Sequence, residues 1–153
     1  MENTTNLGLM KPAVSDTFAN WLNANNSNMD KFDGFPMPME KGSNSQLTYI
    51  KFSDGTVLMW GAINYGTQHP CKSPWAAAAG YASDEFDINL PIALVSESYV
   101  FIPHVTANVN PDMWFVTRTQ TFARVRGAFL CSVNDSANVN TKVLNLVIIG
   151  RWK

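Results

Sequence analysis

Charge is scarce in this chain. Asp, Glu, Lys and Arg make up 15% of its 153 residues, against roughly 25% in ordinary soluble domains. The formal net charge is -1. A chain so near neutrality has no electrostatic footprint for nucleic acid, and isolated basic residues such as Arg124 and Arg126 read as one solvated strand face. Cysteine is almost missing as well. Cys71 and Cys131 are the only two, without CxxC spacing, which excludes a disulfide scaffold. Cys131, inside "GAFLCSV", reads as a small buried hydrophobe, and the pair suits assembly in a reducing cytoplasm. No apolar run approaches the roughly 18 residues that span a bilayer. The opening "MENTTNLGLMKP" lacks the basic-then-apolar order of a secretory signal.

Catalytic machinery is equally thin. The histidines, His69 and His104, are far apart, and there is no GxSxG, HExxH, Walker or GxGxxG motif. The "HPC" at His69–Cys71 offers two soft ligands where zinc needs three or four. His104, after Pro103 in an apolar strand, reads as a hydrogen-bonded structural histidine. No metal and no other cofactor is expected. Asp84, Glu85 and Asp87 precede a strand and read as a solvated edge that discourages edge pairing. No spacing selects a glycosidase pair among Asp84, Asp87, Asp112 and Asp135. The expectation is that the chain is not an enzyme.

What is present is apolar mass, 46% of the residues, on a background of Asn, Ser and Thr. Ser15 stands as an N-cap with Asp16 in the first turn, and Gly34 and Pro36 act as stops. These signals predict a helix over about 15–33. Phe18, Leu22, Asn25, Met29 and Phe32 follow a 4-3-4-3 ladder, a heptad seam flanked by Trp21. Asn is a poor helix former, so the helix is marginal alone and gains from packing on copies of itself. The plainer arrangement, an amphipathic helix on its own domain, uses the same face. Residues 1–33 are therefore read as an attachment and trimerisation segment, and 34–46, "GFPMPMEKGSNSQ", as a linker.

From Leu47 the period becomes two. "TYIKF" and "VLMWGA" flank Asp54-Gly55, which reads as a two-residue hairpin turn, with Ile50 and Phe52 on one face and Tyr49 and Lys51 on the other. A broken Gly/Pro/Ala stretch follows. Then come "FDINLPIAL", "SYVFIPHVTANV" with Pro103 marking a bulge or edge, "MWFVTR" and "TFARVRGAFLCSV". In the last of these, Val125, Gly127, Phe129, Cys131 and Val133 share one face. "VLNLVIIGRW" is apolar on both faces, which demands a second layer or a neighbouring subunit. Residues 47–153 are expected to form an antiparallel β-sandwich or barrel-like head, so the chain is mainly β with one short N-terminal helix.

Trp75 and Tyr81 fall in the Ala/Gly stretch, and Asn108, Asn110, Asp112 and Trp114 surround "NVNPDMW". Aromatic faces beside amides and carboxylates suit a sugar, whose C–H groups stack on a ring while its hydroxyls take hydrogen bonds. Trp75, Tyr81, Asn110, Asp112 and Trp114 are thus candidate glycan-binding residues. The plainer role is core or interface packing.

The N-terminal "NLGLMKPAVSDTFANWLNANNSNMDKFD" resembles the leader of phage tail fibre and appendage proteins, with "NSNMDKFDG" at Asn26–Gly34 as its helix end. "IKFSDGTVLMWGAI" at Ile50–Ile63, "FDINLPIAL" at Phe86–Leu94 and "VIIGRWK" at Val147–Lys153 resemble the gp53-like C-terminal domain of phage tail fibres and tail-like particles. That resemblance implies a homotrimeric head at a fibre tip, held to the other tail or baseplate proteins by its N-terminal part. It implies no catalytic set. No long shaft separates leader from head, so a stubby fibre or cap-like appendage is expected, located in the virion tail and assembled in the host cytoplasm. The expected function is a structural virion component that binds a host-surface glycan or protein, without nucleic acid or membrane insertion. The alternatives are a baseplate or fibre-connecting subunit with no receptor, and a small glycan hydrolase on the same scaffold.

Overall fold

A computed structural model describes residues 2–3, 10–11, 17–33, 35–75, 80–108, 112–135, 137 and 140–153. The chain divides into two compact units, Met1–Met37 and Pro38–Lys153.

In the first unit β1 (Glu2–Asn3) pairs antiparallel with β2 (Met10–Lys11), and α1 runs from Phe18 to Asp33. The helix begins three residues after the expected Ser15. The Asn20 amide donates to Thr17 Oγ1 at 3.3 Å, so Thr17 supplies the capping hydroxyl. Ser15, Asp16 and Gly34 lie outside the described residues.

The second unit contains β3 (Pro38–Ser43), β4 (Thr48–Phe52), β5 (Thr56–Gly66), β6 (Ser73–Pro74), β7 (Tyr81–Ala82), β8 (Phe86–Asn89), β9 (Val100–Ala107), β10 (Met113–Gln120), β11 (Arg124–Cys131) and β12 (Lys142–Arg151). One sheet has the order β3-β4-β5-β12-β9. In the other, β10 pairs with one side of β11, while β8 and β7 share its other side and β6 extends β7. All pairings are antiparallel. The fold is mainly β and sandwich-like, without a closed barrel.

Period-two patterning builds the core. Val57, Met59 and Ile63 of β5 and Leu144, Leu146 and Ile148 of β12 turn inward to meet Phe115, Val125, Phe129, Phe86 and Ile88 of the second sheet. Phe86, Phe115, Phe129 and Tyr65 form an aromatic cluster with ring centroids 4.8–6.1 Å apart. Gly127 makes this possible, since a Cβ there would collide with the Phe115 ring and the Val116 carbonyl. Val125, Gly127, Phe129 and Cys131 share the buried face as their alternation predicts, whereas Val133 lies past the strand end and is exposed. Cys71 and Cys131 are buried free thiols.

Three local expectations change. The 34–46 linker contains β3, which pairs with β4 at the sheet edge. Pro38 is the first residue of that edge strand, where a missing N–H is tolerated. Asn44 Oδ1 accepts from the amides of Gln46 and Leu47 at 2.8 and 2.7 Å and so closes the β3–β4 turn. The β4–β5 turn is also not a two-residue loop. Gly55 alone has positive φ (88°), its amide donates to the Phe52 carbonyl at 3.1 Å, and Asp54 accepts from the Thr56 amide at 2.8 Å. This is a three-residue loop in which Gly takes the left-handed position. Finally, the broken stretch before Phe86 holds the short strands β6 and β7, while the Ala run at 76–79 lies outside the described residues.

The C-terminus laces onto that turn. The Trp152 amide donates to the Gly55 carbonyl at 2.9 Å and its Nε1 to the Phe52 carbonyl at 3.1 Å.

Candidate binding surfaces

Two outer faces stand out in the second unit. On β10, Met113 and Phe115 point into the core, so Trp114 points outward, 48% exposed. A register irregularity between Thr117 and Thr119 leaves Arg118 as the extra residue, and a bulge re-aims the side chain it carries. The Arg118 guanidinium lies 4.2 Å from the centre of the Trp75 ring. The β6–β7 hairpin holds Trp75 there, with the Trp75 amide donating to the Gly80 carbonyl at 2.9 Å.

Beside this pair runs a ladder of charges. Glu85 faces Arg126 at 3.0 Å and Arg118 at 3.6 Å, and Asp87 faces Arg124 at 3.0 Å. Asp87 is thus bound across the β8–β11 pair, and Glu85, just before β8, reaches Arg126 on β11 and Arg118 on β10, so the expected solvated edge is a half-exposed set of ion pairs on a paired strand. Such half-exposed pairs add little stability. Their chemical content is a row of N–H donors and carboxylate acceptors next to an aromatic ring, the set that hydrogen-bonds hydroxyls and stacks on C–H groups.

The remaining candidates lie elsewhere. Tyr81 packs against the core, opposite Pro74 and Cys131. Asp112 is exposed at the start of β10, and Asn110 is outside the described residues. Asn108 is structural: its Oδ1 accepts from the Thr141 amide at 2.8 Å and its own amide donates back to the Thr141 carbonyl at 3.3 Å. His69 stacks on Phe86 with centroids 4.2 Å apart and shares a hydrogen bond with Asp84 at 3.0 Å. The Cys71 thiol points instead to the Phe129 carbonyl at 3.5 Å, and burial pushes its pKa up. Among the described residues no three His, Cys, Asp or Glu side chains are grouped to hold a metal, and no helix is long and apolar enough to cross a membrane. Asp135 is buried beside Lys142.

The second face is the outer side of the five-stranded sheet. Its cross-strand rows follow from the register: Ile50–Leu58–Ile149–Val100, then Thr48–Trp60–Val147–Ile102, then Ala62–Asn145–His104. Val100 and Ile102 are more than half exposed and Ile149 is 42% exposed. His104, expected as a hydrogen-bonded structural histidine, lies exposed on this face; the alternation that turns Phe101 and Val105 inward turns it out. Within the described residues of the second unit, no second layer covers the apolar outer face of β12. Of the helix seam, Phe18 and Leu22 are exposed one turn apart, and the side chains of Asn25, Met29 and Phe32 are outside the described residues.

Sequence reasoning passed over Arg118, since a bulge leaves no mark in a Thr-Arg-Thr run. It also missed Lys142, a buried lysine at the start of an apolar strand.

With this geometry in place, solved structures provide a comparison. An N-truncated R1-type pyocin tail fibre matches with a TM-score of 0.51 at 15% identity, over 90% of this chain and 99% of that one. A C-terminal piece of the Pseudomonas aeruginosa R1 pyocin fibre matches with a TM-score of 0.50 at 11% identity, over 92% of this chain and 39% of that one. The chain has a tail-fibre-like fold. No family model and no curated protein sequence matches it, so the likeness extends to the fold of pyocin fibres and not to the gp53-like domain in particular.

Proposed function

We propose that this protein is a short tail fibre or tip subunit of a bacteriophage or phage-tail-like particle, assembled as a homotrimer, that binds a glycan on the bacterial surface. The observation that carries this reading is the Trp75–Arg118 stack, with Trp114 exposed on the strand that carries Arg118, on a tail-fibre-like fold. The two indoles offer apolar ring faces to the C–H groups of a sugar. Arg118, Arg126 and Glu85 offer donors and acceptors for its hydroxyls. Stacking of this kind gives affinity, and the fixed charge ladder gives orientation. The N-terminal unit, with its helix, serves attachment to the other tail or baseplate proteins, and the head carries recognition.

The test is binding of the labelled full-length chain to bacterial cells and to arrays of bacterial surface polysaccharides. Trp114→Ala and Trp75→Ala are expected to lower binding at least tenfold while circular dichroism and solution mass stay unchanged. Undiminished binding in both variants overturns the assignment of this face. Absence of binding to any cell or polysaccharide, together with failure of particle assembly when residues 1–33 are removed, transfers the protein to a purely structural place in the tail.

A further inference from the structure

The strands of the second sheet carry four charged residues, Asp87, Arg118, Arg124 and Arg126, and Glu85 stands just before β8. Asp84 is turned the other way. Period two puts it on the side of inward-facing Phe86, and its carboxylate meets His69, which stacks on that ring. The outer face therefore sets three guanidiniums against two carboxylates, an excess of one positive charge on a chain whose net charge is -1. Arg124 and Asp87 pair with each other at 3.0 Å. The excess is thus concentrated at Glu85, whose two oxygens face two different arginines: Oε1 faces Arg118 Nε at 3.6 Å, and Oε2 accepts from Arg126 Nε at 3.0 Å. Both arginines use Nε here, and their terminal nitrogens have no hydrogen bond among the described residues. Arg118 is also held in place, because the bulge aims it and the Trp75 ring lies 4.2 Å from its guanidinium. A planar fork of donors fixed in this way loses little freedom when it takes a partner.

We infer that the ligand of this face is an acidic glycan, one whose recognised sugar carries a carboxylate or phosphate that the terminal nitrogens of Arg118 and Arg126 receive. The inference rests on the glycan-binding reading above and names the class of sugar. Charge selects the class. A neutral sugar would cover a site with one uncompensated positive charge and strip water from it at a cost. An anionic group compensates that charge and takes charge-assisted hydrogen bonds, roughly twice as strong as neutral ones. Glu85 opposes such a group little, since each of its oxygens already faces a guanidinium. The ring beside the arginines adds a second requirement. A uronic acid or a phosphorylated hexose meets both in one residue, with C–H groups for Trp75 and an acid for Arg118. The guanidinium fork suits carboxylate and phosphate alike, so experiment separates these two.

An array of bacterial surface polysaccharides, neutral, uronate-containing and phosphate-containing, probed with the labelled full-length chain, tests this. Binding is expected only to the acidic polymers, and to fall at least about tenfold from low to high salt. Carboxyl reduction of the bound polymer, or its dephosphorylation, is expected to abolish binding, and the treatment that does so identifies the anion. Both treatments leave the protein untouched, so the result does not depend on a variant's folding. Arg126→Gln, which spares the Trp75–Arg118 stack, is expected to weaken binding at least about tenfold with an unchanged circular dichroism spectrum. Arg118→Lys is expected to lose less than Arg118→Gln, because the charge stays and only the fork is lost. Binding that survives both treatments, high salt and Arg126→Gln, yet is lost in Trp75→Ala, overturns the acidic class and leaves glycan binding standing. Absence of binding to every polysaccharide is a separate failure, of the glycan reading itself, and takes this inference with it.

Discussion

The Lys142 ammonium lies 3.6 Å from the Asp135 carboxylate, and both side chains are fully buried at the start of β12. Lys142 Nζ also donates to the Gln68 carbonyl at 2.9 Å and the Asn140 carbonyl at 3.0 Å. The pair ties the chain before β12 to the loop after β5. Removing one partner strands a charge in the interior, which costs about 3–5 kcal/mol. Asp135→Ala is therefore expected to lower the denaturation midpoint sharply, and Lys142→Met/Asp135→Leu to recover much of the loss. Urea titrations of the two variants check this; equal destabilisation by both would contradict the charge argument.

Tyr65 presents the opposite case. Its ring packs among Phe86 and Phe129, yet its buried hydroxyl has no hydrogen-bond partner among the described residues. Burial pushes its pKa up to about 12. An unsatisfied buried hydroxyl costs about 1–3 kcal/mol, so Tyr65→Phe is expected to raise thermal stability by about 1 kcal/mol. A fall in melting temperature would reveal a bound partner at that oxygen.

The β3–β4 edge is expected to be acid-sensitive. Lys51 and Tyr49 both donate to the Glu40 carboxylate, at 2.7 and 2.5 Å, and these bonds hold its pKa below the ordinary value of 4.5. A depressed folded-state pKa means stability that is present above the unfolded value and is lost as pH falls through the folded one. Hydrogen exchange of β3 amides should thus accelerate as pH drops below 4.5, relative to the intrinsic rate, and Glu40→Gln should remove that pH dependence. The same profile in both proteins would rule the pair out as the cause.

Trp152 links the end of the chain to the β4–β5 turn. Trp152→Phe removes the Nε1 donor and keeps an aromatic ring, for a loss of about 1 kcal/mol. Trp152→Ala removes the packing as well and is expected to cost about twice that. Chemical denaturation resolves the two; no difference between them would mean that the ring contributes nothing.

The head was legible because its strands are half-buried and alternate. Tyr49 and Ile50, or Phe129 and Arg126, declare their faces by chemistry alone. Pro103 marked an edge strand for the same reason. β12 was legible as apolar on both sides, and the second sheet covers its inner one. Less visible was whatever depends on tertiary neighbours. β3 hid behind two prolines because edge strands tolerate what central ones do not. The turn at Gly55 took one residue more than Asp-Gly implies because Asp54 could hydrogen-bond Thr56. Of the site, Trp75 and Trp114 stood out as loop or strand-end aromatics, but Tyr81 turned inward when β7 paired with β11. Arg118 became a partner of Trp75 only through a bulge.

The most direct test of the central claim is the solution mass of the full-length chain, measured by light scattering across the micromolar range. The proposed tail-fibre assembly predicts a mass three times that of the chain, constant with concentration. A single-chain mass throughout would contradict it.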